Sequence, residues 1–284
     1  MTRYLPPQAS GDASTGLPVF CFPFAGGGAT AYSGWQRRLG PSVRVLPVRL
    51  PGREVRIAEP RFTEIDDLVA DLDEQLGPEL ERGPHLLFGH SMGAMIAYTL
   101  AHRRVRLGKR PPRALLLSAY RPPHLGVPRI FDTVAEVRTE DALVDTLTAI
   151  GGIPDQLLRH AGWMSMLLPI ARDDLLLCSS VPRRPADPIP VPLHLFAGND
   201  DALVAPRDVA EWAGHGDARS DLAVFPGGHF YLRDREAEFL AHLSGVLAPY
   251  AAEHQAFVDS GFESEFEHEE AGALAATGAS SSRP

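Results

Sequence analysis

Two rhythms of apolar and polar positions run through this chain. Short apolar runs at 17–24, 43–48, 85–88, 113–120, 192–197 and 221–225 have strand length, and Ala114-Leu115-Leu116-Leu117 has the unbroken character of a strand buried on both faces. Between them the spacing changes. Ile65, Leu68, Val69, Leu72 and Leu76 recur every three or four positions, predicting a helix capped by Thr63 and running to about Leu80. Segments 29–39, 94–101 and 233–247 also read as helices. Strands alternating with helices predict an α/β fold, a mostly parallel sheet with helices on both faces.

The alternation stops between 127 and 190, where 142–150, 154–160 and 163–177 look helical. This stretch follows a strand beyond the central one, so it is expected to cover one edge of the sheet as a lid. Residues 1–16 read as a flexible leader. Residues 251–284 carry seven acids and one arginine before an Ala, Gly and Ser-rich end, and are expected to be disordered.

Composition narrows the function. The 284 residues are 44% hydrophobic and 22% charged, as in ordinary globular proteins, and the net charge of -9 lies mostly in the acidic tail. Neither body nor tail resembles a nucleic-acid binder. No apolar run has membrane-spanning length and the first residues hold no signal core, so a cytoplasmic protein without a membrane partner is expected. Cys21 and Cys178 sit in apolar runs and read as packing residues. No spaced set of metal ligands appears, and no cofactor is called for.

The chemistry centres on Gly89-His90-Ser91-Met92-Gly93. A strand entering G-x-S-x-G and a helix leaving it form a nucleophile elbow, which lifts the Ser91 hydroxyl above the sheet and aims the Met92 N–H at a developing oxyanion. Serine needs a base, and the base an orienting carboxylate, in the chain order Ser, Asp or Glu, His. Gly198-Asn199-Asp200-Asp201 follows one strand, and the spacing to Val204 favours Asp201 over Asp200. Gly227-Gly228-His229 follows the last strand and supplies the base. Phe24-Ala25-Gly26-Gly27, after the first strand, offers the Ala25 N–H as second oxyanion donor. Gly26-Gly27-Gly28-Ala29-Thr30-Ala31 also fits the dinucleotide pattern, but Arg49 stands near where an acid is needed. Arg49, Arg53, Arg56 and Arg121 are candidates for meeting an acidic partner, against the simpler reading of solvated surface charge.

Six ordered motifs add up to a family. F-P-F-A-G-G-G-A near the start, R-L-P-G-R-E at 49–54, G-H-S-M-G at 89–93, L-L-P-I-A-R-D-D at 167–174, the G-N-D-D turn and F-P-G-G-H-F-Y-L at 225–232 together resemble the type II thioesterases of polyketide and non-ribosomal peptide assembly lines. The resemblance spans about 17–250. It implies the α/β-hydrolase fold with a lid at about 127–190, and Ser91, Asp201 and His229 as triad with Ala25 and Met92 as oxyanion donors. It also implies hydrolysis of stalled acyl groups from the phosphopantetheine thiol of acyl or peptidyl carrier domains. A general carboxylesterase or acyltransferase of the same fold is the alternative.

Overall fold

The structure, a computed structural model, describes residues 2–7, 16–128, 140–149, 151–153, 160–183, 185 and 187–277. Six strands form one sheet: β1 (Leu17–Phe22), β2 (Val43–Pro47), β3 (Leu86–His90), β4 (Ala114–Ser118), β5 (Leu193–Gly198) and β6 (Asp221–Phe225). Every predicted strand is present. Their order is β2-β1-β3-β4-β5-β6, and each neighbouring pair is parallel. The chain moves outward from β1 to β2, then returns to lay β3 on the other side of β1. That reversal opens a crevice at the carboxyl ends of β1 and β3, where ligands bind in sheets of this type.

The helices are α1 (Trp35–Leu39), α2 (Ile65–Glu81), α3 (Met92–Arg106), α4 (Glu140–Ala149), α5 (Ala161–Ser179), α6 (Pro206–Ala210), α7 (Tyr231–Asp234) and α8 (Glu236–Thr277). Two cores result. One joins α2, α3 and the buried part of α5 through Leu72, Ile96, Leu100 and Leu175. The other joins α1 and α8 through Trp35, Phe88, Phe239 and Leu243. The strands contribute side chains alternately to each: Phe20 and Phe22 to the first, Val19 and Cys21 to the second. Both cysteines are buried and free.

Three expectations need correction. The helix expected over 29–39 is split into a 3-10 turn (Ala29–Tyr32) and α1, because Gly34 takes a left-handed φ of 87°. The leader is not loose throughout: Tyr4 and Leu5 are buried in the first core, and the Tyr4 carbonyl accepts from the Arg49 N–H at 2.8 Å. Two apolar residues carry no periodicity, so their burial had no signature.

The last helix continues to Thr277, far past the end expected near Leu247. Its apolar face runs on through Ala251, Glu253 pairs with Arg113 at 2.6 Å, and the Glu- and Ala-rich sequence beyond favours continuing a helix already started, across Gly261 and Gly272. Of the predicted disorder at 251–284, the part up to 277 is therefore helical, and 278–284 lie outside the described residues. So does most of the helix expected at 154–160.

Candidate active site

Ser91 stands between β3 and α3 with φ 53° and ψ −123°, a strained conformation for a residue with a side chain. Two features hold it there. Its N–H donates to the Ser118 carbonyl at the end of β4, at 2.8 Å. The glycines on either side allow a close approach: a Cβ on Gly93 would lie 2.1 Å from the Phe22 carbonyl oxygen, and one on Gly89 2.0 Å from the Gly93 oxygen. The elbow spacing in the sequence is thus a packing requirement between β1, β3 and α3.

The three side chains selected from the sequence meet. His229 Nε2 lies 3.0 Å from Ser91 Oγ, and His229 Nδ1 lies 2.8 Å from Asp201 Oδ2. The other Asp201 oxygen accepts the Leu203 and Val204 N–H groups at 2.8 and 3.0 Å. These bonds keep the carboxylate turned inward, whereas neighbouring Asp200 is exposed. A carboxylate on Nδ1 places the imidazole proton there and leaves the Nε2 lone pair facing the hydroxyl. All three residues are buried, so water screens these interactions little.

Other histidines do not compete for this place. His90 turns away from the hydroxyl, its Nδ1 2.8 Å from Ser118 Oγ, which also meets the Tyr231 hydroxyl at 2.6 Å. Burial, then the neighbouring His229 and Arg233, hold the His90 ring well below the usual imidazole range. It stays uncharged beside His229. His194 bonds Asp221 and Tyr250.

Met92 begins α3, so its N–H is among the first-turn donors that a helix leaves without an internal partner. Ala25 follows β1 across the crevice. The glycine loop beside it is occupied by the chain's own carboxylates: Gly26 N–H donates to Asp174 at 2.7 Å, and Ala29 and Thr30 N–H groups donate to Glu54 at 3.0 and 2.9 Å. A dinucleotide phosphate has no place there. Helix α5 lies over the same loop, with Leu167 and Ala171 facing Gly26, while Trp163 and Met166 on its first turns are exposed.

Two arginines offered as partner contacts are committed inside the fold. Arg53 pairs with Asp174, and Arg56 with Glu59, each at 2.6 Å, and both arginines are buried. Arg121 bonds the Gly126 and Val127 carbonyls. Sequence reasoning offered Arg53 only as a partner contact and gave Asp174 no role, although both stand in motifs that carry the family resemblance. Among the described residues no group of side chains could hold a metal ion, and no helix is long and apolar enough to cross a membrane.

Residues 17–247 match the family described as the thioesterase domain. The chain belongs to the thioesterase family. It is 29% identical over 246 residues to the gramicidin S biosynthesis protein GrsT of Aneurinibacillus migulanus, covering 85% of this chain and 94% of GrsT. Among solved structures it is similar to RedJ, a thioesterase from the prodiginine pathway of Streptomyces coelicolor. There the TM-score is 0.74 with 34% identity, covering 81% of this chain and 89% of RedJ. The type II thioesterase BorB from the borrelidin biosynthetic cluster gives a TM-score of 0.73 with 31% identity, covering 89% and 97%. This thioesterase is accordingly an enzyme that hydrolyses thioesters on an α/β-hydrolase fold.

Proposed function

We propose that this thioesterase is a stand-alone editing enzyme that removes stalled or aberrant acyl groups from the phosphopantetheine thiol of carrier domains in polyketide or non-ribosomal peptide synthesis. The observation that carries the chemistry is the hydrogen-bonded line from Ser91 through His229 to Asp201. The substrate class is supported by similar proteins, among them ClbQ from the colibactin NRPS/PKS pathway and the type II thioesterase YbtT from the yersiniabactin NRPS/PKS pathway.

In this reading, His229 Nε2 takes the Ser91 proton as the hydroxyl attacks the thioester carbonyl. Asp201 stabilises the imidazolium that forms. The Ala25 and Met92 N–H groups receive the oxyanion, and loss of one such donor typically raises a barrier by about 3 kcal/mol. Collapse expels the pantetheine sulfur, which takes the proton from His229 and leaves as the thiol. Water, deprotonated by His229, then attacks the acyl-serine; the second intermediate collapses as His229 returns that proton to Ser91 Oγ, and the acid departs. The hydrolase domain occupies about 17–250, and the segment near 127–190 acts as the lid, with α5 positioned above the oxyanion loop.

The test pairs two measurements. Ser91→Ala is expected to abolish turnover with the melting temperature kept; wild-type turnover by this variant would remove the acyl-enzyme route. Rates should fall in the order acyl-carrier, acyl-cysteamine, p-nitrophenyl ester. Equal specificity constants on all three would favour a general carboxylesterase.

A further inference from the structure

The Phe24–Gly27 turn is gripped from outside by two buried side chains that the reaction itself does not use. The Gly27 N–H donates to the Phe24 carbonyl at 2.9 Å, closing a four-residue turn whose third residue, Gly26, has φ 75°. A turn with a left-handed third residue is of the type II kind, and its central peptide can flip to the type I arrangement. Here that peptide, between Ala25 and Gly26, is pinned: the Gly26 N–H donates to Asp174 Oδ2 at 2.7 Å. Arg53 completes the grip. Its Nη1 donates to the Gly27 carbonyl at 2.9 Å and to Asp174 Oδ2 at 2.8 Å, and its Nη2 donates to Asp174 Oδ1 at 2.6 Å.

We propose that Asp174 and Arg53 are positioning residues that hold the oxyanion loop: by fixing the Ala25–Gly26 peptide and the Gly27 carbonyl they keep the shape of the turn that presents the neighbouring Ala25 N–H to the transition state. The proposal rests on the acyl-transfer reading above. Asp174 is well suited to the task because it stands on α5 next to Leu175, one turn before Cys178, and both of these are buried in the first core. The grip is thereby anchored to the sheet. The next residue after Arg53 extends it: Glu54, at φ 48°, accepts from Ala29, Thr30 and the Thr30 hydroxyl, so consecutive residues hold both sides of the glycine loop.

Charge balance gives the pair a second effect. A lone buried carboxylate one residue from the oxyanion donor would oppose the charge that develops there. The two-pronged guanidinium contact cancels that field while leaving the Gly26 hydrogen bond in place. Simple stabilisation is a poor account of such a pair, since apolar replacements of buried ion pairs are often neutral or better. The fork specifies a backbone orientation instead.

The experiment compares Asp174→Ala, Asp174→Asn and Arg53→Met in the full chain, each with its melting temperature. Asp174→Ala is expected to lower kcat on an acyl thioester about 100-fold, the scale of a small misplacement at a reacting centre, with KM within about threefold. Asp174→Asn, whose Oδ1 can still accept from Gly26, should recover most of that loss. A trifluoromethyl ketone analogue of the thioester supplies the deciding readout, because it adds to Ser91 and places a real oxyanion in the site. Its inhibition constant should rise by the same factor by which kcat/KM falls. Wild-type turnover in Asp174→Ala, or a loss that leaves ketone affinity unchanged, would overturn the proposal. If Asp174→Ala does not fold, the same ratio is read from Arg53→Met, which removes the bonds to the Gly27 carbonyl and to Asp174. Failure of the underlying acyl-transfer reading has a separate mark, turnover by Ser91→Ala.

Discussion

His229 and Asp201 are joined by a buried 2.8 Å contact between Nδ1 and Oδ2, although 28 residues separate them in the chain. Asp200, next door, is exposed. Replacing Asp201 by Asn would let the amide donate to Nδ1 and favour the wrong tautomer of His229. Asp201→Asn is therefore expected to lower kcat about 10⁴-fold, the effect of the equivalent change in a serine protease. Asp200→Asn should keep kcat within about twofold of wild type, since an exposed surface change is ordinarily near neutral. Steady-state rates on one acyl thioester check both, and comparable losses from the two variants would contradict the assignment.

The elbow depends on backbone contact as much as on its serine. A methyl at residue 93 would meet the Phe22 carbonyl oxygen at 2.1 Å, and neither β1 nor α3 can move without disturbing the sheet. Gly93→Ala is expected to destabilise the fold by about 3 kcal/mol or more, the upper range for overpacking. Chemical denaturation would reveal it, and an unchanged midpoint would mean the approach is looser than described.

Asp73 fastens α2 to the helix that carries the elbow. It accepts from Arg104 at 2.7 Å and from Lys109 at 2.6 Å, and Arg104 is fully buried. Without Asp73 the buried Arg104 keeps only Glu81 and the Arg110 carbonyl, and its Nη1 loses its partner away from solvent. Asp73→Ala should lose about 3 kcal/mol of stability, measured by urea unfolding, with a smaller loss for Asp73→Asn.

Acid sensitivity should have an identifiable source in His85. Burial is the main cause that lowers its pKa from 6.5 to about 4. Between those values the unfolded chain binds a proton that the folded chain refuses, so stability falls as pH drops from 6.5 toward 4. The melting temperature of wild type should fall across that window, and less steeply for His85→Gln. Parallel curves would assign the sensitivity to other groups.

Much of this molecule was legible before folding because its signals are local. Six strands were readable from apolar runs: β3 and β4 are buried along their whole length, which leaves little room for polar residues, whereas the edge strand β6 kept a short apolar run although it is mostly exposed. The elbow was readable because strand, Gly-x-Ser-x-Gly and helix are contiguous, and chain order together with the Gly227-Gly228 loop after the last strand pointed to His229. The choice between Asp200 and Asp201 depended on which carboxylate the Leu203 and Val204 N–H groups turn inward, a matter of loop geometry. The meeting of Arg53 with Asp174 was out of reach for a different reason. They lie 121 positions apart, and no periodicity or spacing encodes which charged side chains become buried partners. Local patterns determined the elements and the candidate reactive groups; only packing of the whole sheet decided which polar groups lost their water and therefore had to find one another.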